Sequence, residues 1–126
     1  MFMKGTQIVA IDDNITNLKL LEKLLEEKYS IVCFQDAVTA LKYLENNQAD
    51  LVLSDLIMPE MNGIELLKAL KTNDINIPLV MISAFDKKQY IDDAYFNGAL
   101  KYLVKPINPD ELFGVIDNVL TLSPNE

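Results

Sequence analysis

The sequence predicts a doubly wound α/β domain, with five parallel strands in one sheet and five helices covering both of its faces. Five short apolar runs begin 20 to 28 residues apart, about the length of a strand plus a crossover helix. Each run is continuous rather than alternating, as expected for strands buried on both faces. Amphipathic segments fill the intervals, which completes a three-layer αβα pattern. The runs are Ile8–Ile11, Ile31–Phe34, Leu51–Leu53, Leu79–Ile82 and Leu100–Val104.

The first two helices are predicted from apolar stripes behind polar caps. Asn14 and Thr16 both suit the N-cap of the first helix, and the sequence does not choose between them. Asp36 suits the N-cap of the second helix, which should end at Asn46-Asn47. The stripes comprise Leu18, Leu21, Leu24 and Leu25 in the first helix, and Val38, Leu41 and Leu44 in the second.

The other three helices are predicted from their end signals. The third should begin at Asn62 or Gly63, and the fourth should run from Lys87 to Phe96 and stop at Asn97-Gly98. The fifth should open at Asn108-Pro109, since proline suits the first helical position. Their apolar stripes comprise Ile64, Leu67 and Leu70 in the third, and Leu112, Val115, Ile116, Val119 and Leu120 in the fifth.

Composition excludes several classes of protein. The 126 residues are 50% hydrophobic and 24% charged, which indicates one folded domain over residues 1–126 with a short tail at Ser123–Glu126. Eleven basic and nineteen acidic residues give a net charge of −8, which argues against direct nucleic-acid binding and membrane adhesion. We expect a cytoplasmic protein in which Cys33 is a reduced, buried thiol. Histidine is absent, which removes the commonest general base and zinc ligand.

Polar residues follow four of the five predicted strands, where parallel strands place a working site. The pairs are Asp12-Asp13, Ser54-Asp55, Ser83-Ala84 and Lys105-Pro106. Taken singly, each acid is better explained as a cap or turn residue, as Asp36 is after the second strand. Their occurrence together on one rim favours a site.

The charges on that rim predict a hard divalent cation. Two carboxylates about 5 Å apart repel by about 3 kcal/mol at an effective dielectric near 20, so three need a cation among them. Lys105 neutralises one charge and leaves an oxygen-rich, negative pocket. Mg²⁺ or Mn²⁺ suits such a pocket, and an ion held by few carboxylates is typical of phosphoryl transfer.

These motifs closely resemble those of the receiver domain of two-component response regulators. The resemblance rests on Asp12-Asp13, the segment Asp55-Leu56-Ile57-Met58-Pro59-Glu60-Met61-Asn62-Gly63, Ser83-Ala84, and Tyr102-Leu103-Val104-Lys105-Pro106, in that order. It covers a core of about residues 7–122. It implies a flavodoxin-like (CheY-like) fold with strand order 2-1-3-4-5.

The resemblance also implies roles for the acidic residues. Asp55 would be the phosphoacceptor, taking its phosphoryl group from a phosphohistidine of a sensor histidine kinase or phosphotransfer protein. Asp13 and Asp55 would bind Mg²⁺ directly, Asp12 largely through water, and the Ile57 backbone carbonyl would complete the protein ligands. Such a domain assists its own phosphorylation and slow dephosphorylation but is not an enzyme.

Other residues gain roles from the same resemblance. Lys105, Ser83 and the backbone N–H of Ala84 would contact the phosphoryl oxygens. Ser83 and Tyr102 would form the switch, and the bond before Pro106 would be cis. The fourth helix, fifth strand and fifth helix would form the output face, toward a partner or a fused effector domain, with Tyr90 or Tyr95 exposed on the fourth helix. The domain would be a monomer or a phosphorylation-dependent homodimer.

Apolar side chains flank the expected acyl phosphate. Ile57 lies two residues after Asp55, and Phe85 lies two residues after Ser83. Neither side chain can hold an attacking water by a hydrogen bond, so we expect slow self-hydrolysis.

Three rival functions fit the sequence less well. A haloacid-dehalogenase-like, Mg²⁺-dependent aspartyl-phosphate phosphatase also uses Asp, Ser, Lys and Mg²⁺, but it needs a second acid two residues after its nucleophile. Here the residue two positions after Asp12 is Asn14 and the residue two positions after Asp13 is Ile15, and neither is an acid. A flavodoxin-type FMN carrier would need a phosphate loop where Asp12-Asp13 stands. A dinucleotide site lacks its glycine motif.

Overall fold

The computed structural model describes residues 3–121, with side chains from residue 5, and contains one parallel sheet. Its strand order is β2-β1-β3-β4-β5, which confirms the predicted order. The predicted tail at Ser123–Glu126 lies outside the described residues. The strands are β1 (Met3–Ile11), β2 (Tyr29–Phe34), β3 (Leu51–Asp55), β4 (Leu79–Ser83) and β5 (Lys101–Val104).

Helices cover both faces of the sheet and divide the core into two layers. Helices α1 and α5 pack on the face formed by Ile8, Leu53 and Ile82. Helices α2, α3 and α4 pack on the face formed by Val9, Val52 and Met81. The helices are α1 (Ile15–Leu25), α2 (Ala37–Asn46), α3 (Gly63–Thr72), α4 (Lys88–Phe96) and α5 (Pro109–Thr121).

Side-chain caps fix where the first three helices begin. Asn14, rather than Thr16, caps α1, because its Oδ1 accepts the backbone N–H of the third helical residue. Asp36 caps α2 in the same way. Asn62 and Glu65 form a reciprocal capping box at α3, which satisfies two backbone donors at once. These caps fix the residues at which the loops after β1, β2 and β3 end.

The fourth helix ends as predicted but has a weaker start. Lys87 is its N-cap and makes no side-chain capping bond. After α4, Gly98 adopts a φ of 110°, a backbone conformation that favours glycine, and its N–H donates to the Tyr95 carbonyl. Within residues 3–121, no helix combines the length and the apolar character needed to cross a bilayer.

The prediction that every strand is buried on both faces holds for the predicted runs Ile8–Ile11, Leu51–Leu53 and Leu79–Ile82 and is wrong for the edge strands. The edge strand β2 is mostly half-buried, and Val104 at the end of β5 is exposed. Edge strands have a neighbour on one side only, so the helices cover them less completely. Cys33, on β2, is therefore half-buried rather than buried. Burial and the charge of Glu22 raise the pKa of its thiol to about 11.

Candidate functional site

The carboxyl ends of β1, β3, β4 and β5 bring the sequence-predicted polar residues to one rim of the sheet. Asp12 directly follows β1, Asp55 ends β3 and Ser83 ends β4. Lys105 follows β5, and its backbone N–H donates to the Ser83 carbonyl at 2.8 Å. The parallel register therefore gathers four separate segments around one point.

Three carboxylates form the centre of this rim. One oxygen from each of Asp12, Asp13 and Asp55 lies within 4.8 Å of the others. Asp12 is only 2% exposed, Asp55 is partly buried and Asp13 is exposed. Asp12 Oδ1 accepts the Asn14 backbone N–H at 2.9 Å, so the turn that caps α1 also orients this carboxylate.

Lys105 bridges two of the three carboxylates. Its Nζ lies 2.9 Å from Asp12 Oδ2 and 3.3 Å from Asp55 Oδ2. The peptide bond between Lys105 and Pro106 is cis. One ammonium among three carboxylates leaves the rim with a net negative charge.

The pKa values of Asp55 and Lys105 reflect burial and their shared neighbour, Asp12. Burial raises the pKa of Asp55, Lys105 opposes that rise, and the charge of Asp12 adds to it, so the net direction is upward. Burial alone would lower the pKa of Lys105, but the hydrogen bond to Asp12 and the charges of Asp55 and Asp12 raise it. Lys105 therefore stays protonated, and among the described residues it is the one cation paired with these carboxylates.

The donor set fits a hard divalent cation. Three carboxylates with oxygens this close supply the hard oxygen ligands that Mg²⁺ and Mn²⁺ prefer. No thiolate lies among them, since Cys33 is on β2, at the edge of the sheet. Zinc usually binds cysteine thiolates and histidine nitrogens, and this cluster offers neither.

Ser83, Phe85 and Tyr102 form a hydrogen-bonded chain at the end of β4. Ser83 is buried, and its Oγ accepts the Phe85 backbone N–H at 3.0 Å. The Tyr102 hydroxyl donates to the Phe85 carbonyl at 2.6 Å. The Phe85 ring packs edge-on against Tyr90, with centroids 4.9 Å apart. The backbone of Phe85 thus connects the hydroxyl beside the acidic rim to the aromatic residue of β5.

Comparison with known proteins identifies the family of this chain. The family model of the response regulator receiver domain matches residues 8–117. The chain belongs to the response regulator receiver domain family. It is a receiver domain of the two-component signalling type, and the matches give no support to the phosphatase alternative.

Curated relatives of this receiver domain come from plants and bacteria. The two-component response regulator ARR10 of Arabidopsis thaliana is 34% identical over 125 residues, which cover 97% of this chain and 22% of that protein. The transcriptional regulatory protein ZraR of Klebsiella oxytoca is 36% identical over 113 residues, which cover 87% of this chain and 26% of that protein. The receiver domain thus spans about a quarter or less of the length of these two relatives.

Solved receiver structures share the fold closely. A CheY-like response regulator receiver domain protein from Methanospirillum hungatei superposes with a TM-score of 0.84 at 30% identity, covering 92% of this chain and 94% of that one. The receiver domain of the Francisella response regulator 1452 gives a TM-score of 0.87 at 27% identity, covering 92% and 97%. The receiver fold therefore extends over most of this chain.

The remaining sequence-predicted residues lie in the segments that follow β3 and β4 and on helix α4. Ala84 is exposed directly after β4. Ile57 and Phe85 are large apolar residues that are 47% and 40% exposed. Tyr95 is exposed on α4, as expected, whereas Tyr90 is half-buried against Phe85.

Sequence reasoning missed two backbone contacts around Asp55. The Leu56 N–H donates to Asp55 Oδ1 at 2.7 Å, and the Ser54 hydroxyl donates to the Asp55 carbonyl at 2.9 Å. The available signal was Ser54 itself, a polar residue between the apolar run Leu51–Leu53 and Asp55. A backbone N–H, by contrast, leaves no mark in a sequence.

Proposed function

We propose that this receiver domain accepts a phosphoryl group on Asp55 from a phosphohistidine of a sensor histidine kinase or phosphotransfer protein. The observation that carries the proposal is the bridge of Lys105 between Asp12 and Asp55, inside a cluster of three carboxylates. An ammonium and a negative oxygen cluster around one carboxylate suit phosphoryl transfer, which depends on positioning and charge.

Asp55 acts as the nucleophile because a carboxylate needs no base at neutral pH. One of its oxygens forms a bond to phosphorus while the bond between phosphorus and the donor imidazole nitrogen breaks. The electron pair of the broken bond stays on the imidazole, which leaves as the free histidine of the donor protein. The absence of histidine from this chain is consistent with that division of labour.

Mg²⁺ or Mn²⁺ would be held by three carboxylates and one backbone carbonyl. The carboxylates are those of Asp12, Asp13 and Asp55, of which Asp12 would act largely through water, and the carbonyl is that of Ile57. The bound ion would supply charge neutralisation for the phosphoryl oxygens. Asp13 is exposed and open to a cation from solvent, whereas buried Asp12 already accepts hydrogen bonds from Lys105 and Asn14.

Lys105, Ser83 and Ala84 bind the phosphoryl group itself. The Lys105 ammonium is within reach of Asp55 Oδ2 and pairs with the added negative charge. The Ser83 hydroxyl and the Ala84 backbone N–H donate to the remaining oxygens. Ala84 leaves space for the group, because its side chain is a single methyl.

Output runs from Ser83 to Tyr102 and on to the face formed by α4, β5 and α5. Ser83 would donate its own O–H to the phosphoryl group, and a shift of its Oγ would act on the Phe85 N–H that donates to it, while Tyr102 donates to the carbonyl of the same residue. The face exposes large apolar side chains, which suits a protein partner or a fused effector domain. They include Tyr95, Phe96 (87% exposed), Leu100 and Val104.

This function places the domain in the cytoplasm as a signalling phosphoacceptor rather than an enzyme with turnover. Its net charge of −8 and its exposed apolar face favour protein partners over nucleic acid. It acts as a monomer or as a homodimer formed on phosphorylation.

Intact-mass spectrometry tests the proposal. With acetyl phosphate and Mg²⁺, the wild type should gain about 80 Da, the mass of one phosphoryl group. Omission of the metal or the substitution Asp55→Asn should abolish the gain. Stoichiometric, persistent labelling of Asp55→Asn would show that another residue is the acceptor.

A further inference from the structure

Ser54 is a buried hydroxyl that the proposed reaction does not use. It is 1% exposed and is the last residue but one of β3, directly after the fully buried apolar residues Leu51, Val52 and Leu53. A hydroxyl in such surroundings costs free energy unless it forms a hydrogen bond. Within residues 3–121 its one hydrogen bond runs to the backbone carbonyl oxygen of Asp55, at 2.9 Å.

The bond from Ser54 acts on the peptide unit that orients the Asp55 carboxylate. The carbonyl of Asp55 and the N–H of Leu56 belong to the same planar peptide, so fixing one end fixes the direction of the other. The Leu56 N–H donates to Asp55 Oδ1 at 2.7 Å. A donor on the carbonyl also polarises the peptide and strengthens the bond that its N–H makes.

The first residue of helix α3 also lies against this peptide. A Cβ at Gly63 would lie 2.7 Å from the backbone carbonyl oxygen of Asp55, so only glycine permits this approach. The Gly63 N–H donates to the Leu56 carbonyl at 2.8 Å. Both the Ser54 hydroxyl and the first residue of α3 therefore lie against the Asp55 carbonyl oxygen, which restricts rotation of this peptide.

We propose that Ser54 is a positioning residue for Asp55, an inference that rests on the proposed function of that carboxylate. Through the Asp55–Leu56 peptide, Ser54 keeps Oδ1 on the Leu56 N–H and leaves Oδ2 turned to Lys105, 3.3 Å away. Oδ2 is then the oxygen that forms the bond to phosphorus. Holding the nucleophile in one orientation raises the rate of transfer.

Three substitutions at Ser54 separate the hydrogen bond from the space that the side chain fills. Ser54→Ala removes the donor, Ser54→Cys nearly preserves the volume with a weak donor, and Ser54→Thr restores the hydroxyl. Met81, the strand partner of Ser54, is flexible and can accommodate the added methyl group of threonine. Each protein is phosphorylated with saturating acetyl phosphate and Mg²⁺, and Mg²⁺ affinity is measured separately.

We expect Ser54→Ala and Ser54→Cys to slow phosphorylation about tenfold at unchanged Mg²⁺ affinity, with Ser54→Thr near the wild-type rate. In the metal-free proteins, the Leu56 amide proton resonance should move upfield in Ser54→Ala and return in Ser54→Thr. A wild-type rate and a wild-type Leu56 resonance in Ser54→Ala would overturn the inference, as would failure of Ser54→Thr to restore both. If the wild type itself gains no phosphoryl group on Asp55, the proposed function fails, whereas the Leu56 resonance still reports on the peptide.

Discussion

Replacing Asp13 by Asn should stabilise the metal-free receiver domain while weakening its binding of Mg²⁺. Asp13 lies within 4.8 Å of carboxylate oxygens on Asp12 and Asp55, and within the described residues it forms no ion pair of its own. At that distance two unit charges repel by about 3.5 kcal/mol at an effective dielectric near 20, and by about 0.9 kcal/mol in water. Asp13 is exposed, so the lower value applies.

Lys105 sets the net effect, because its positive charge offsets one of the two neighbouring carboxylates. One uncompensated repulsion remains, so Asp13→Asn should stabilise the metal-free form by about 1 kcal/mol. For a domain of this size, that free energy raises the melting temperature by about 3–5 °C. Mg²⁺ should raise the melting temperature of the wild type by mass action, and it should raise that of the variant much less.

Thermal unfolding in EDTA and across a Mg²⁺ titration measures both effects. Asp12→Asn serves as the matched control, because Asp12 is buried and bonded to Lys105 and Asn14. That substitution should destabilise the metal-free form by about 1–3 kcal/mol, since a charged partner of Lys105 is lost. If Asp13→Asn melts several degrees below the wild type in EDTA, the account of repulsion is wrong.

Further predictions concern phosphoryl lifetime, switching and thiol reactivity. Ile57→Asn combined with Phe85→Glu should speed loss of the 80 Da adduct about tenfold, equivalent to about 1.4 kcal/mol of barrier, and an unchanged half-life would count against water exclusion. The Ser83→Ala variant should still accept phosphate. On adding beryllofluoride, a phosphoryl mimic, it should lose the changes in amide chemical shift that the wild type shows at Tyr102, and the full wild-type change would refute the switch. Cys33, with its pKa near 11, should carry about 200-fold less thiolate at pH 8 than an unfolded thiol. The thiolate of a higher-pKa thiol is more nucleophilic, which offsets about tenfold of the loss in alkylation rate. Iodoacetamide should therefore alkylate it about twentyfold more slowly in the folded protein than in urea, and equal rates would contradict that reasoning.

The sequence was sufficient to predict the parts of the fold that depend on local chemistry. Asp36, Asn62 and Asn108 each accept a backbone N–H three residues ahead, as short polar side chains at helix starts are expected to do. The position of the polar rim also followed from the sequence, because parallel strands place their carboxyl ends at one edge.

The sequence could not predict features that depend on how completely a side chain is covered, on individual side-chain contacts or on backbone groups. The predicted strand order already put β2 and β5 at the edges, but the continuous apolar runs there did not reveal that Val104 is exposed and Cys33 only half-buried. The attachment of Lys105 to buried Asp12 depends on the contact of segments 93 residues apart. The role of Phe85 as a connector rests on its backbone N–H and carbonyl, which any residue at that position would offer.

The central claim, that Asp55 accepts the phosphoryl group, is tested most directly by locating the acyl phosphate in the wild-type chain. Borohydride reduces an aspartyl phosphate to homoserine, and peptide mass spectrometry after acetyl phosphate, Mg²⁺ and borohydride treatment identifies the reduced position. We predict homoserine at position 55 alone, and none when Mg²⁺ is replaced by EDTA. Reduction at Asp12, Asp13 or any other acid with position 55 intact would contradict the account.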